Sequence, residues 1–124
     1  MTFRRRALFT QWDGRRILCC DYAGLDDHAE AFDAFEQVRS AVAGEAPGTV
    51  LTLSDVRDSR LDRTMQRKLM ELTLQNRSFV RAAAVVGLSA AQRRDLADVE
   101  RVSGRQFAVF DTLEEARDWL VTQA

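Results

Sequence analysis

Among the 124 residues there is a single proline (Pro47), a single histidine (His28) and a single lysine (Lys68), and the two cysteines, Cys19 and Cys20, are chain neighbours. A disulfide framework needs separated pairs, so adjacent cysteines exclude one. On a strand they point to opposite faces and chelate poorly together, which leaves buried thiols as their plain reading. One histidine offers no second ligand for a zinc motif. The stretch Gly44–Gly48 lacks the Gly-Lys-Ser/Thr of a phosphate loop, and no G-x-G-x-x-G or G-x-S-x-G occurs. With neither a nucleophile–base pair nor a cofactor fingerprint, the expectation is no enzyme, no cofactor and no metal. An enzyme would require a pocket joining Asp55, Asp58 and His28. Charge of one sign is also missing: 18 basic and 19 acidic side chains give a net −1, which excludes bulk attraction to nucleic acid or anionic membrane. No run approaches the roughly 18 apolar residues of a membrane span. The segment from Met1 to Arg6 is basic, but the apolar run after it is too short for a secretion signal. The expected location is therefore the cytoplasm.

What is present is an ordinary globular composition, 46% hydrophobic and 30% charged, long enough for one domain spanning residues 1–124. Arg6–Trp12 and Arg15–Tyr22 are extended candidates separated by Asp13-Gly14, a strong hairpin signal because both turn positions need positive φ. A helix is predicted from about Asp27 to Ala43, opened by Asp27 with Glu30 three residues on. Its apolar face is Phe32, Phe35, Val38 and Val42. Val50–Leu53 reads as a strand ending at Ser54-Asp55. A second helix is predicted over about Leu61–Leu74, with a stripe of Met65, Leu69 and Leu72 and with Asn76 as a left-handed terminator. Phe79–Val86 is the next strand, and its small residues should let a helix pack close. Ser89 with Gln92 and Thr112 with Glu115 mark two more helix starts on either side of a strand at Phe107–Phe110. Strands alternating with helices predict an α/β fold, a mostly parallel sheet with one antiparallel edge strand from the leading hairpin.

Three clusters carry the functional candidates. The carboxylates Asp21, Asp26, Asp27, Asp55 and Asp58 could converge at the C-terminal ends of the first parallel strands, where open α/β sheets bind ligands; the plain alternative is helix caps and solvated loops. Arg4, Arg5 and Arg6 with Arg15 and Arg16 could form a positive stripe, or could guard a sheet edge. The loop Asp55, Arg57, Asp58, Ser59, Arg60 holds a serine near a helix start. Ser59 reads as a plain N-cap, or as a phosphorylation site whose dianion would face free helix N–H groups with Arg57 and Arg60 beside it.

The order of elements, the strand ending in Leu53-Ser54-Asp55, the run Arg81-Ala82-Ala83-Ala84-Val85-Val86-Gly87 and the closing Phe110-Asp111-Thr112-Leu113-Glu114-Glu115-Ala116 with Trp119-Leu120 resemble the bacterial SpoIIAA-like proteins, also described as STAS/SEC14-like domains. The resemblance runs from about Ile17 to Leu120. It implies a SpoIIAA-like β/α superhelix and a homodimer. STAS antagonists of anti-sigma factors are phosphorylated on a serine at the start of the helix after the second core strand, which points to Ser59; Asp58-Ser59-Arg60-Leu61 keeps part of their Asp-Ser-Ser-Gly-Leu pattern. SEC14-like relatives carry an apolar ligand under a helix, which points to a groove lined by Met65, Leu69 and Leu72. The leading expectation is a non-enzymatic binding module, regulatory through contact with a protein partner at Asp55–Arg60, the second helix and the loop after Gly87. The alternative is a carrier or sensor of a small apolar, lipid-like ligand.

Overall fold

A computed structural model describes residues 3–123; Met1 and Thr2, part of the basic N-terminal stretch, and Ala124 lie outside them. Five strands form one sheet in the order β1-β2-β3-β4-β5. Strands β1 (Ala7–Trp12) and β2 (Arg15–Asp21) are antiparallel; β3 (Val50–Asp55), β4 (Val80–Val86) and β5 (Ala108–Phe110) continue the sheet in parallel. The predicted mixed α/β architecture is what is found. At the hairpin, Asp13 and Gly14 have φ of 48° and 77°, the pair of positive values that suits a two-residue turn to the twist of the strands.

Helices α1 (His28–Ala43), α2 (Arg63–Asn76), α3 (Ala90–Ser103) and α4 (Leu113–Val121) follow the strands in turn. Four polar side chains start them. Asp27, Asp62, Ser89 and Thr112 each accept a hydrogen bond from the N–H three residues on, satisfying one of the free donors of a helix start. Only Ser89 and Gln92 close the full reciprocal box. Glu30 does not complete the box at Asp27; its carboxylate accepts from Arg6 Nη2 at 3.2 Å instead.

The second helix departs from its predicted start. Asp62, not Ser59, is its N-cap, through a 2.9 Å bond from the Met65 N–H. Its C-terminal end also differs: Asn76 is still helical and Arg77 continues in right-handed geometry with φ −50°, so no left-handed residue is used.

The sheet has a core on each face. Leu18, Cys20, Val50 and Val85 pack with α1 and with Met65 and Leu72 of α2. On the other face Ile17, Leu51, Leu53, Ala82, Ala84 and Val86 pack with Ala116 and Leu120 of α4. Cys19 and Cys20 split between the two faces, as strand alternation requires. The alanine-rich strand lets a helix come close on the α4 side. On the opposite side α2 leans on α1, α3 touches α2, and neither approaches the sheet as closely as α1 and α4 do.

Candidate functional site

That standoff leaves a cavity of about 550 Å³ between α2, α3 and the sheet. Its floor is a contiguous patch of three strands, since Cys20 is paired in register with Ser54, Thr52 with Ala83, and Ser54 with Val85. One wall is the Leu69, Met70, Leu72 and Thr73 face of α2; the other is Leu96 and Val99 of α3. A pocket of this size, mostly apolar with a few polar groups, has the character of a small-molecule site.

The floor mixes polar and apolar side chains and carries no charge. Burial pushes the Cys20 thiol up to about 12, with neighbouring Cys19 adding to the rise and hydrogen bonds from Ser54 and Tyr22 opposing it. Burial also raises the Tyr22 phenol well above its ordinary value, with Cys20 reinforcing the shift. Both therefore keep their protons at neutral pH. Tyr22 is fixed by an edge-on contact with Phe35, ring centroids 5.4 Å apart.

Of the residues expected to line an apolar groove, Leu69 and Leu72 do so and Met65 does not. Met65 is 1% exposed in the core shared with α1. The predicted stripe is divided because α2 turns one flank to α1 and the other to the cavity. Ser59 and Arg60 line the cavity; Asp55, Arg57 and Asp58 do not.

The loop after β3 is tightly wired. Asp55 accepts from the Arg57 N–H, Nε and Nη2 at 3.1, 2.9 and 2.7 Å. The Arg60 N–H donates to the Leu25 carbonyl at 2.7 Å. Ser59 is 8% exposed. Its hydroxyl donates to the Val56 carbonyl at 2.8 Å and accepts from Gln92 Nε2 at 3.1 Å. Gln92 thus closes the α3 capping box and ties the start of α3 to this loop. A phosphoryl group on Ser59 would require that tie to open.

The acidic cluster does not gather around a ligand-sized space. Asp21 pairs with Arg4 at 2.8 Å, Asp55 with Arg57, and Asp27 caps α1. His28 Nε2 pairs with Asp62, linking the starts of α1 and α2. The basic stripe is likewise dispersed. Arg6 is 5% exposed and binds the Asp21 and Ala23 carbonyls and Glu30, while Arg16 pairs with Glu45 and stacks on Phe9. Among the described residues no helix is long and apolar enough to cross a membrane.

Sequence reasoning missed Tyr22, Gln92 and Arg105 as cavity residues. The available signal was the thin apolar stripe of α3, too narrow to cover the sheet beneath it.

No family model matches the chain, and no curated protein matches it. Among solved structures, the chain is similar to an uncharacterised protein of the DUF3478 family from Shewanella loihica PV-4. The identity is 18%, 92% of this chain and 91% of the other are covered, and the TM-score is 0.74. That protein has a SpoIIAA-like fold, and this chain has the same fold.

Proposed function

We propose that the protein is a non-catalytic binding module whose α2–α3 cavity holds a small apolar ligand, as a carrier or sensor. The observation that supports this reading is the cavity of about 550 Å³, walled by Leu69, Leu72 and Val99 over an uncharged floor. A groove of this size leaves apolar side chains facing water, and a well-fitting apolar occupant would bury them. Ser59 and Arg60 connect the cavity to the Asp55–Arg60 loop. Occupancy would thereby alter the surface offered to a protein partner, which joins the carrier reading to a regulatory one.

Native mass spectrometry of the protein purified from cells tests this reading. The expected spectrum carries a mass increment that disappears on extraction with organic solvent, and Leu69→Trp, which projects an indole from the α2 wall into the cavity, reduces it. A bare mass, together with no binding of any apolar probe, overturns the proposal. The same spectrum reads subunit number and any phosphate on Ser59.

A homodimer is the second reading, and one observation favours it. Leu8 on the edge strand β1 is 57% exposed, an apolar side chain beside unpaired backbone groups, where a second copy could pair.

A further inference from the structure

The end of the cavity where α2 begins is lined by charges of both signs, Arg60 and Asp95. Where α2 begins, Gln66 Nε2 donates to Asp95 at 3.4 Å and Gln92 to Ser59. From Gln66 to Asn76 the helix advances about 15 Å, and at this far end the cavity is lined by Arg105. Arg105 follows Gly104, whose left-handed backbone (φ 70°) ends α3. Its Nη1 donates to the carbonyls of Arg77 and Val80 at 2.9 and 3.1 Å, so one edge of the guanidinium is fixed by backbone. Among the described residues Nε and Nη2 make no hydrogen bond, and no carboxylate pairs with Arg105 or with Arg77. Burial first, and then the Arg77 charge, lower the Arg105 pKa. The guanidinium is therefore short of compensating negative charge. Asp98, the cavity carboxylate nearest this end in sequence, is paired with Arg101 at 2.9 Å.

We propose that the occupant is an amphiphile with one oxyanion head, a carboxylate or a phosphate monoester, and that Arg105 binds the head while the apolar tail lies between α2 and the sheet. This rests on the ligand-binding reading above. An arginine held along one edge presents its remaining N–H groups in a fixed fork, the geometry that matches an oxyanion. The uncharged floor and the apolar walls of Leu69, Leu72, Leu96 and Val99 leave the tail in neutral surroundings.

The test is calorimetric titration of the full chain, stripped of bound lipid, with dodecanoate, dodecyl phosphate and dodecanol below their aggregation limits. At least one anionic probe should bind tenfold or more tightly than dodecanol, and whichever does so assigns the head. Removing tail carbons should weaken binding about fourfold per methylene. Arg105→Gln should remove the anion preference, so that neither anionic probe binds more tightly than dodecanol; Arg105→Lys should retain part of it. Dodecanol binding as tightly as both anions, or an Arg105→Gln chain that still prefers them, overturns the proposal. If none of the three probes binds, the ligand-binding reading itself fails. Should Arg105→Gln not fold, the Arg105 Nε–H resonance of the unaltered protein decides: it must move with an anionic probe and not with dodecanol.

Discussion

At Gly87 the backbone has φ of 89°, and a Cβ there would lie 2.2 Å from the Arg57 Cγ and 3.1 Å from the Arg57 backbone. Gly24 has a comparable φ of 70° with nothing within 4 Å. Gly24→Ala should therefore cost only the left-handed strain, about 1 kcal/mol, while Gly87→Ala should cost clearly more, because the loop that carries Arg57 must also shift. Urea unfolding of the two variants checks the difference; equal losses would show that Arg57 yields freely. Cys20 and Tyr22 set a second expectation at this scale. Both bind their protons more tightly folded than unfolded, so stability is full below the unfolded thiol value and falls as pH rises. For Cys20 the window runs from 9.0 to about 12. Cys20→Ala should flatten part of that alkaline slope, measured by denaturant unfolding at a series of pH values. Legibility was uneven among residues. Asp13-Gly14 and Ser89 with Gln92 were readable because their effects are local. Asp62 was overlooked in favour of Ser59, although both residue types cap helices, because the choice depends on where the chain leaves the sheet. Arg105 carried no sequence signal: its surroundings come from Arg77 and Val80, far from it along the chain.

Among the elements, α3 is the least anchored. Of its residues only Ser103 is buried, and Val102 is 59% exposed. Its start is held by the Ser89–Gln92 box and the Gln92–Ser59 bond, so local polar contacts replace the missing apolar grip. Amide exchange should rank α3 the fastest of the four helices. Ser89→Ala should remove about 1 kcal/mol, and the loss should appear as faster exchange across α3 with little change in the sheet. Uniform acceleration through all elements would contradict this view. Strands and helices were predictable here because periodicity and caps act within one element. The cavity was legible only through the resemblance that placed a groove at Leu69 and Leu72; its α3 wall was not, since it arises from how far α2 and α3 stand from the sheet, a relation among three elements that no single stripe encodes. Met65 shows the limit: its spacing with Leu69 and Leu72 placed it on the same face, yet α1 claims it for the core.

At the scale of the whole molecule, the sheet has two unlike edges. At β5 the edge strand is three residues long, too short to pair extensively. At β1 it is six residues with Leu8 exposed. A dimer built on β1 predicts that Leu8→Lys leaves the circular dichroism unchanged but halves the mass found by sedimentation velocity. A variant that sediments like the unaltered chain would remove β1 from consideration. Ligand and dimer effects should be separable, because the cavity lies under α2 and α3, away from that edge.

The alanines of β4 serve two different ends. Ala82 and Ala84 let α4 seat tightly against one side, and Ala83, between them, faces the void. A scaffold braced from behind in this way can have its chamber re-bored without being undermined. If the chamber holds the proposed ligand, exchanging Ala83 for larger or smaller side chains would retune which guests fit while the architecture stands.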